Sequence, residues 1–166
     1  IGDSEDNAYH VLSASDLGAQ TLLDGIEIRE GRADSLEDDH GAGLLALNSD
    51  LRLHRCTFTS NVATGEGGAI YVEGGSPSFK DSVFSHNEAL VGGAVYSVNA
   101  FAKIQRSVFF ANKARTTGGG ITSTGGYLSV DTSLFIANQA VHSGYQGFGG
   151  AISLQAGDST LLFTTF

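Results

Sequence analysis

Carboxylates and histidines are the side chains of this chain best suited to chemistry, and their densest group is Glu37-Asp38-Asp39-His40. Carboxylates within reach of one another suit Ca²⁺, or a general acid and base acting on a glycosidic bond. Here they are adjacent and lack the glycine-spaced oxygen ligands of an EF-hand loop. The expected state is therefore a solvated acidic loop, with Ca²⁺ at Glu37, Asp38 and Asp39 as the secondary reading. Asp24, Glu27 and Glu30 share an outward face, but nothing matches them further along. His10, His40, His54, His86 and His142 show no His-x-His or Glu-x-x-His spacing, so no transition-metal centre is expected. Cys56 is the single cysteine; it forms no internal disulfide and is expected as a small core residue, not a nucleophile. The chain reads as non-catalytic and without a cofactor.

Recognition has better candidates. Tyr71 and Tyr96 follow two copies of one glycine motif at the same position and are expected to point outward as stacked rings. Tyr145 and Phe148 lie in a segment lengthened by five residues and offer a second aromatic pair on a loop. These four are the candidate ligand-binding residues; stabilising stacking is the preferred reading of the two tyrosines, and a tolerated insertion whose aromatics cover the core is the alternative for the loop pair.

What positions them is a repeat. Phe-x-x-Asn occurs four times, ending at Asn61, Asn87, Asn112 and Asn138, at intervals of 26, 25 and 26 residues. Each copy is followed by Gly-Gly-Ala-Ile or a near copy, opening at Gly67, Gly92, Gly118 and Gly149. A fixed period in this range means units that bury their apolar faces only by stacking. The apolar runs are short and broken by Gly, Asn, Ser and Thr, which rules against helical repeats and leaves stacked β-strands.

Aligned on the asparagines, Leu53, Phe79, Ile104 and Val130 form one apolar column and Phe58, Phe84, Phe109 and Phe135 another. Ile70, Val95, Ile121 and Ile152 form a third, and Cys56, Ser82, Ser107 and Ser133 a small-residue column. In a parallel β-helix such columns become ladders with a rise of about 4.8 Å per coil. The asparagines are expected to turn inward, each bonding the backbone of its own coil and the amides above and below. The first glycine of each pair is expected at a corner with positive φ. Arg55, Asp81, Arg106 and Asp131 are expected to alternate in sign along one exposed ridge. The first forty residues read as less regular coils, with one strand near Tyr9 and a half-buried one through residues 21–33; Gly31 takes the place of an asparagine, and Gly41-Ala-Gly-Leu44 that of the glycine motif.

The expected fold is thus all-β, a parallel β-helix of about six coils of 25–26 residues in one domain over 1–166, irregular over 1–40 and regular over 41–166. Phe166 falls where another Phe-x-x-Asn begins, so the chain is expected to be a fragment of a longer polypeptide. Nine basic against eighteen acidic residues give a net charge of −9, which opposes a phosphate backbone and excludes nucleic acid as the expected partner. No apolar stretch reaches the roughly 20 residues of a membrane span.

The paired Gly-Gly-Ala-Ile and Phe-x-x-Asn motifs resemble the polymorphic outer membrane protein repeat of bacterial autotransporter passengers and other large surface proteins. The lead-in from Tyr9 to Ala33 is similar to that of secreted right-handed β-helix domains. The resemblance implies a right-handed winding, a location on the bacterial surface or outside the cell, adhesion or surface assembly as the role, and no catalytic residue. Partners would be a host cell, a glycan or a surface protein, with end-to-end self-association through open coil edges as a further expectation. A polysaccharide-binding or polysaccharide-cleaving domain of the pectate-lyase type is the competing reading.

Overall fold

The computed structural model describes residues 9–35, 39–142, 145–146 and 148–166, without the side chains of residues 142, 145 and 146. They form an all-β parallel solenoid with no helix. One winding shows the plan. Leu44–Leu47 lies in a first sheet (A), Arg52–His54 in a second (B), Thr57–Thr59 in a third (C) and Val62–Ala63 in a fourth (D), and the chain then returns to sheet A at Ile70–Glu73. Sheets A, B and D contain six strands each and sheet C five. About four turns repeat regularly, each carrying one of the four asparagines.

The strands stay short because a left-handed residue interrupts each one. Gly67, Gly92, Gly118 and Gly149 hold φ between 61° and 67° at the corner from D to A, as the motif predicts. The second glycine of the pair is needed for closeness: a Cβ on Gly93 would sit 2.3 Å from the Gly119 carbonyl oxygen of the next turn. The corner from A to B also uses glycine, at Gly74-Gly75 and Gly125-Gly126, whereas the regular turns pass the other two corners without it. Arg55, Asp81, Arg106 and Thr132 turn the chain from B to C, and Ser60, His86, Ala111 and Ala137 from C to D, all with positive φ.

Register follows the expected columns. Leu53 pairs with Phe79, Phe79 with Ile104 and Ile104 with Val130, while Phe58, Phe84, Phe109 and Phe135 pair in the same order. Inward members are buried and outward ones exposed, the period-two alternation of a strand. The phenylalanines form a continuous stack, with centroids 5.3 Å apart for Phe58–Phe84 and 4.6 Å for Phe84–Phe109 and Phe109–Phe135. Phe166 continues it on Phe135 at 5.5 Å.

Two expectations need correcting. The segment 21–33 is not a single alternating strand; it forms Leu22–Asp24, Glu27–Arg29 and Arg32–Ala33 in three different sheets, because Gly25 and Glu30 adopt positive φ and turn it twice. The strand near Tyr9 starts later, at Leu12, and runs to Ser15.

Candidate functional site

The asparagine file is the best-ordered polar feature of the interior. Asn61, Asn87 and Asn112 are fully buried. The Oδ1 of Asn87 accepts the backbone N–H of Asn61 at 3.0 Å and its Nδ2–H at 3.0 Å, and Asn112 and Asn138 do the same for the turns before them. Each Nδ2 also donates backwards to the carbonyl of the stacked column: Asn87 to Phe58, Asn112 to Phe84 and Asn138 to Phe109. The backbone partners therefore belong to the adjacent turn and not, as expected, to the asparagine's own coil. An amide has one carbonyl and two N–H groups, and this arrangement uses all of them for Asn87 and Asn112. Gly31, in the asparagine position, keeps only its backbone part and donates N–H to Asn61 Oδ1. A second file runs beside it, in which Cys56 N–H donates to Ser82 Oγ, Ser82 N–H to Ser107 Oγ and Ser107 N–H to Ser133 Oγ. Cys56 is buried at its end, consistent with the expected core role.

The exposed ridge is organised differently from the expected alternation. Arg55 makes a two-pronged contact with Asp24 at 2.8 and 2.6 Å, and Arg106 one with Asp81 at 2.8 and 2.7 Å. These are separate pairs, bridged by His54, whose ring nitrogens approach Asp24 at 3.4 Å and Asp81 at 3.2 Å. Asp131 is not in the column, because Ile104 pairs with Val130 and hence Gln105 with Asp131; Thr132 occupies the turn position instead. The hydrogen bond from Arg106 holds the Asp81 carboxyl below its usual range, and Arg55 does the same for Asp24. A depressed folded value means that the stabilisation is present above the ordinary value of 3.8 and is lost as pH falls through the folded one. Replacing Arg106 by Gln is therefore expected to lower the melting temperature slightly at neutral pH and low salt, with the difference from wild type closing in acid or in high salt. Equal melting temperatures at neutral pH and low salt would remove the ion pair from the stability account.

On sheet A, Tyr71 and Tyr96 are register partners whose rings stack at 5.6 Å. The column ends there, since Thr122 is buried with its Oγ1 donating to the Thr117 carbonyl. The stack is extended on the other side by a residue outside the column: His40 lies on Tyr71 at 4.8 Å and 12°. Burial, then the charges of Glu73 and Glu66, pushes the Tyr71 phenol up to about 12. The Nδ1 of His40 accepts the Glu66 N–H at 3.2 Å and faces Glu66 Oε2 at 2.5 Å and Asp39 Oδ1 at 3.0 Å. Among the described residues, Asp39, His40 and Glu66 are the group able to hold a cation, with ligand atoms within 4.8 Å of one another. A nitrogen at the centre suits a transition metal better than Ca²⁺, which takes oxygen ligands. Glu37 and Asp38, the other residues of the calcium reading, lie outside the described residues.

The five-residue lengthening forms a small antiparallel ribbon, Gln139–His142 against Tyr145–Gln146. Phe148 follows it, 75% exposed and bridged to Thr117. The side chain of Tyr145 lies outside the described residues. The structure thus brings Tyr71 and Tyr96 together, adds His40, and places Phe148 in the column of Glu66, Val91 and Thr117, beyond the end of the tyrosine stack.

Sheet B carries a feature the sequence reading missed. Arg52, Lys80 and Lys103 project from its outer face beside Phe101 and Tyr127 and border a shallow groove. The signal was present as basic residues at outward positions of three successive strands, but it becomes visible only after the register is known.

The architecture is that of a parallel β-solenoid. Residues 55–73 match the family model described as the Chlamydia polymorphic membrane protein (Chlamydia_PMP) repeat. The matched stretch spans one motif pair, Phe58-x-x-Asn61 and Gly67-Gly68-Ala69-Ile70, so this turn of the solenoid is a repeat of the polymorphic membrane protein type. No curated protein and no solved structure matches the chain.

Proposed function

We propose that this chain is a non-catalytic module of a bacterial cell-surface protein, serving adhesion or the assembly of a surface structure. The observation that carries this reading is the coincidence of the family match with the ladders: the residues of the matched motif, Phe58, Asn61 and the Gly67 pair, are spent on stacking turns. A rod built this way holds its outer faces at fixed spacing, which is what a display surface requires. In this reading the winding is right-handed, as crossovers between parallel strands nearly always are. It counts about six coils, the less regular ends included, and self-assembly would proceed by stacking of solenoid edges.

A second reading, polysaccharide binding, is favoured by one observation, the basic and aromatic groove on sheet B. One experiment addresses both. The purified chain is applied to cultured host cells and to a glycan array, with a reducing-sugar assay on polygalacturonate in Ca²⁺ run in parallel. Saturable binding without new reducing ends is the expected result. Calcium-dependent cleavage would overturn the non-catalytic reading, and absence of binding to both cells and glycans would overturn the adhesive one.

A further inference from the structure

We propose that the outer face of sheet B is a binding groove for an acidic polysaccharide, whose carboxylated or sulfated sugars lie along the solenoid axis. This deepens the surface-module reading and rests on it.

The placement follows from register. Arg52, Ser78 and Lys103 are consecutive partners across three strands and form one outward column; His54, Lys80 and Gln105 form the next. Phe101 and Tyr127, two positions before Lys103 and Ser129, are partners on the other side of the Arg52 column. Strands in a sheet stand about 4.8 Å apart, so Arg52 and Lys103 rise from backbones about 10 Å apart, with Lys80 halfway between them and one column over. Basic side chains thus recur once per turn, at a pitch close to the length of one sugar ring.

Unpaired cations gather on three successive strands of this face. The chain has nine basic residues against eighteen acidic ones. Arg55, Arg106 and Arg115 are neutralised by Asp24, Asp81 and Glu88. Arg52, Lys80 and Lys103 are all exposed and have no ion-pair partner among the described residues. The same columns reach Asp131 and Asp158 one or two strands further on, so the anion site is confined to the stretch from Arg52 to Lys103, where three unpaired cations stand on successive strands.

Shape and the aromatic rings narrow the ligand. A concavity of about 480 Å³ is lined by Arg52, Ser78, Phe101, Lys103 and Tyr127, and it continues through Arg52 and Ser78 into a smaller one of about 190 Å³ at Lys80 and His54. Phe101 is 58% exposed, so its ring is open to a ligand lying in the groove. The Tyr127 hydroxyl is anchored to Thr160 Oγ1 at 2.6 Å, which fixes the ring beside it. Aromatic faces accept the apolar face of a sugar ring, while Ser76 and Ser78 offer hydroxyls for its alcohols. Asp50, at the groove's edge, accepts the Ser76 N–H, so its charge is partly spent. Anionic groups with stackable rings describe an acidic polysaccharide. A nucleic acid would set a dense row of phosphates against the acidic remainder of the surface.

The test uses the whole chain and two probes, heparin and polygalacturonate, with dextran as the neutral control and inorganic polyphosphate as the purely ionic one. Binding is measured calorimetrically at low and high salt. The triple variant Arg52→Ala, Lys80→Ala, Lys103→Ala is expected to bind at least about tenfold more weakly, and Phe101→Ala several-fold more weakly. Lys113→Ala, an exposed lysine on sheet D, is expected to leave affinity unchanged. All these residues are exposed, so circular dichroism and melting temperature should match wild type. The proposal is overturned if neither acidic probe binds, if Lys113→Ala costs as much as the triple variant, or if polyphosphate binds as tightly and Phe101→Ala makes no difference. Cell binding of the triple variant separates the two readings: undiminished adhesion would leave the surface-module reading standing while removing this groove from it.

Discussion

Asn87→Ala is expected to lower the unfolding free energy by about 3–5 kcal/mol, a large effect for a polar residue. The loss is not confined to its own bonds. Without the side chain, the Asn61 N–H and Nδ2–H lose their shared acceptor, and the Phe58 carbonyl and Asn112 Oδ1 each lose a donor. All lie in the dry interior, where an unmet polar group costs about 1–3 kcal/mol, partly relieved by small shifts of the turns. Asn87→Asp separates ladder chemistry from simple volume. The carboxylate keeps an acceptor for Asn61 but turns its second oxygen toward Phe58 O and Asn112 Oδ1, where a donor is required. It should therefore destabilise more than alanine at neutral pH. Its folded form prefers the proton, so the deficit relative to wild type should shrink as pH falls toward the ordinary carboxylate range. Denaturant titration of the three proteins at two pH values provides the check. An aspartate variant as stable as wild type at neutral pH would show that the file is not held together by its donors.

Phe84→Ala is expected to cost a further and comparable amount, about 3–5 kcal/mol. Phe84 is fully buried between Phe58 and Phe109, and its ring is tilted by 56° against that of Phe79, with centroids 6.1 Å apart. Its neighbours are fixed by strands on the turns above and below, so the space cannot close without breaking sheet C. Phe84→Leu fills most of the volume and should recover more than half of the loss. A denaturation midpoint within experimental error of wild type for the alanine variant would mean that the turns collapse on one another far more readily than close-packed interiors do.

The fold was legible because a solenoid writes its contacts into its period. Phe58 and Phe84 are 26 residues apart in sequence and in contact in space, so aligning the chain on itself gave the core columns directly. The asparagine file followed from the same alignment, but its bonding pattern did not. Whether Asn87 Nδ2 reaches a carbonyl in its own turn or in the previous one depends on the path of the corner, which composition does not encode. Asp131 was misplaced by one residue for a related reason: the ridge alternation seemed to continue, whereas pairing of Val130 with Ile104 puts Thr132 in that place. The candidate surfaces were harder still. Tyr71 and Tyr96 were found by column, but His40 reaches their stack from a connection that obeys no column. The groove combines outward residues of separate strands, each unremarkable alone, and only their adjacency gives Arg52, Lys80 and Lys103 a common meaning.

The non-glycine corners have one further implication. Arginine, aspartate and threonine share one left-handed corner, and serine, histidine and alanine another, so the conformation there is imposed by hydrogen bonds from neighbouring turns and not by residue type. An L-residue at such a site forfeits roughly 1–2 kcal/mol relative to an ordinary conformation, which the stacked turns absorb. Those two edges are consequently strips on which side chains can be exchanged without rewriting the architecture. A lineage under pressure to vary its outward appearance would find, along these edges, the positions where change disturbs the rod least.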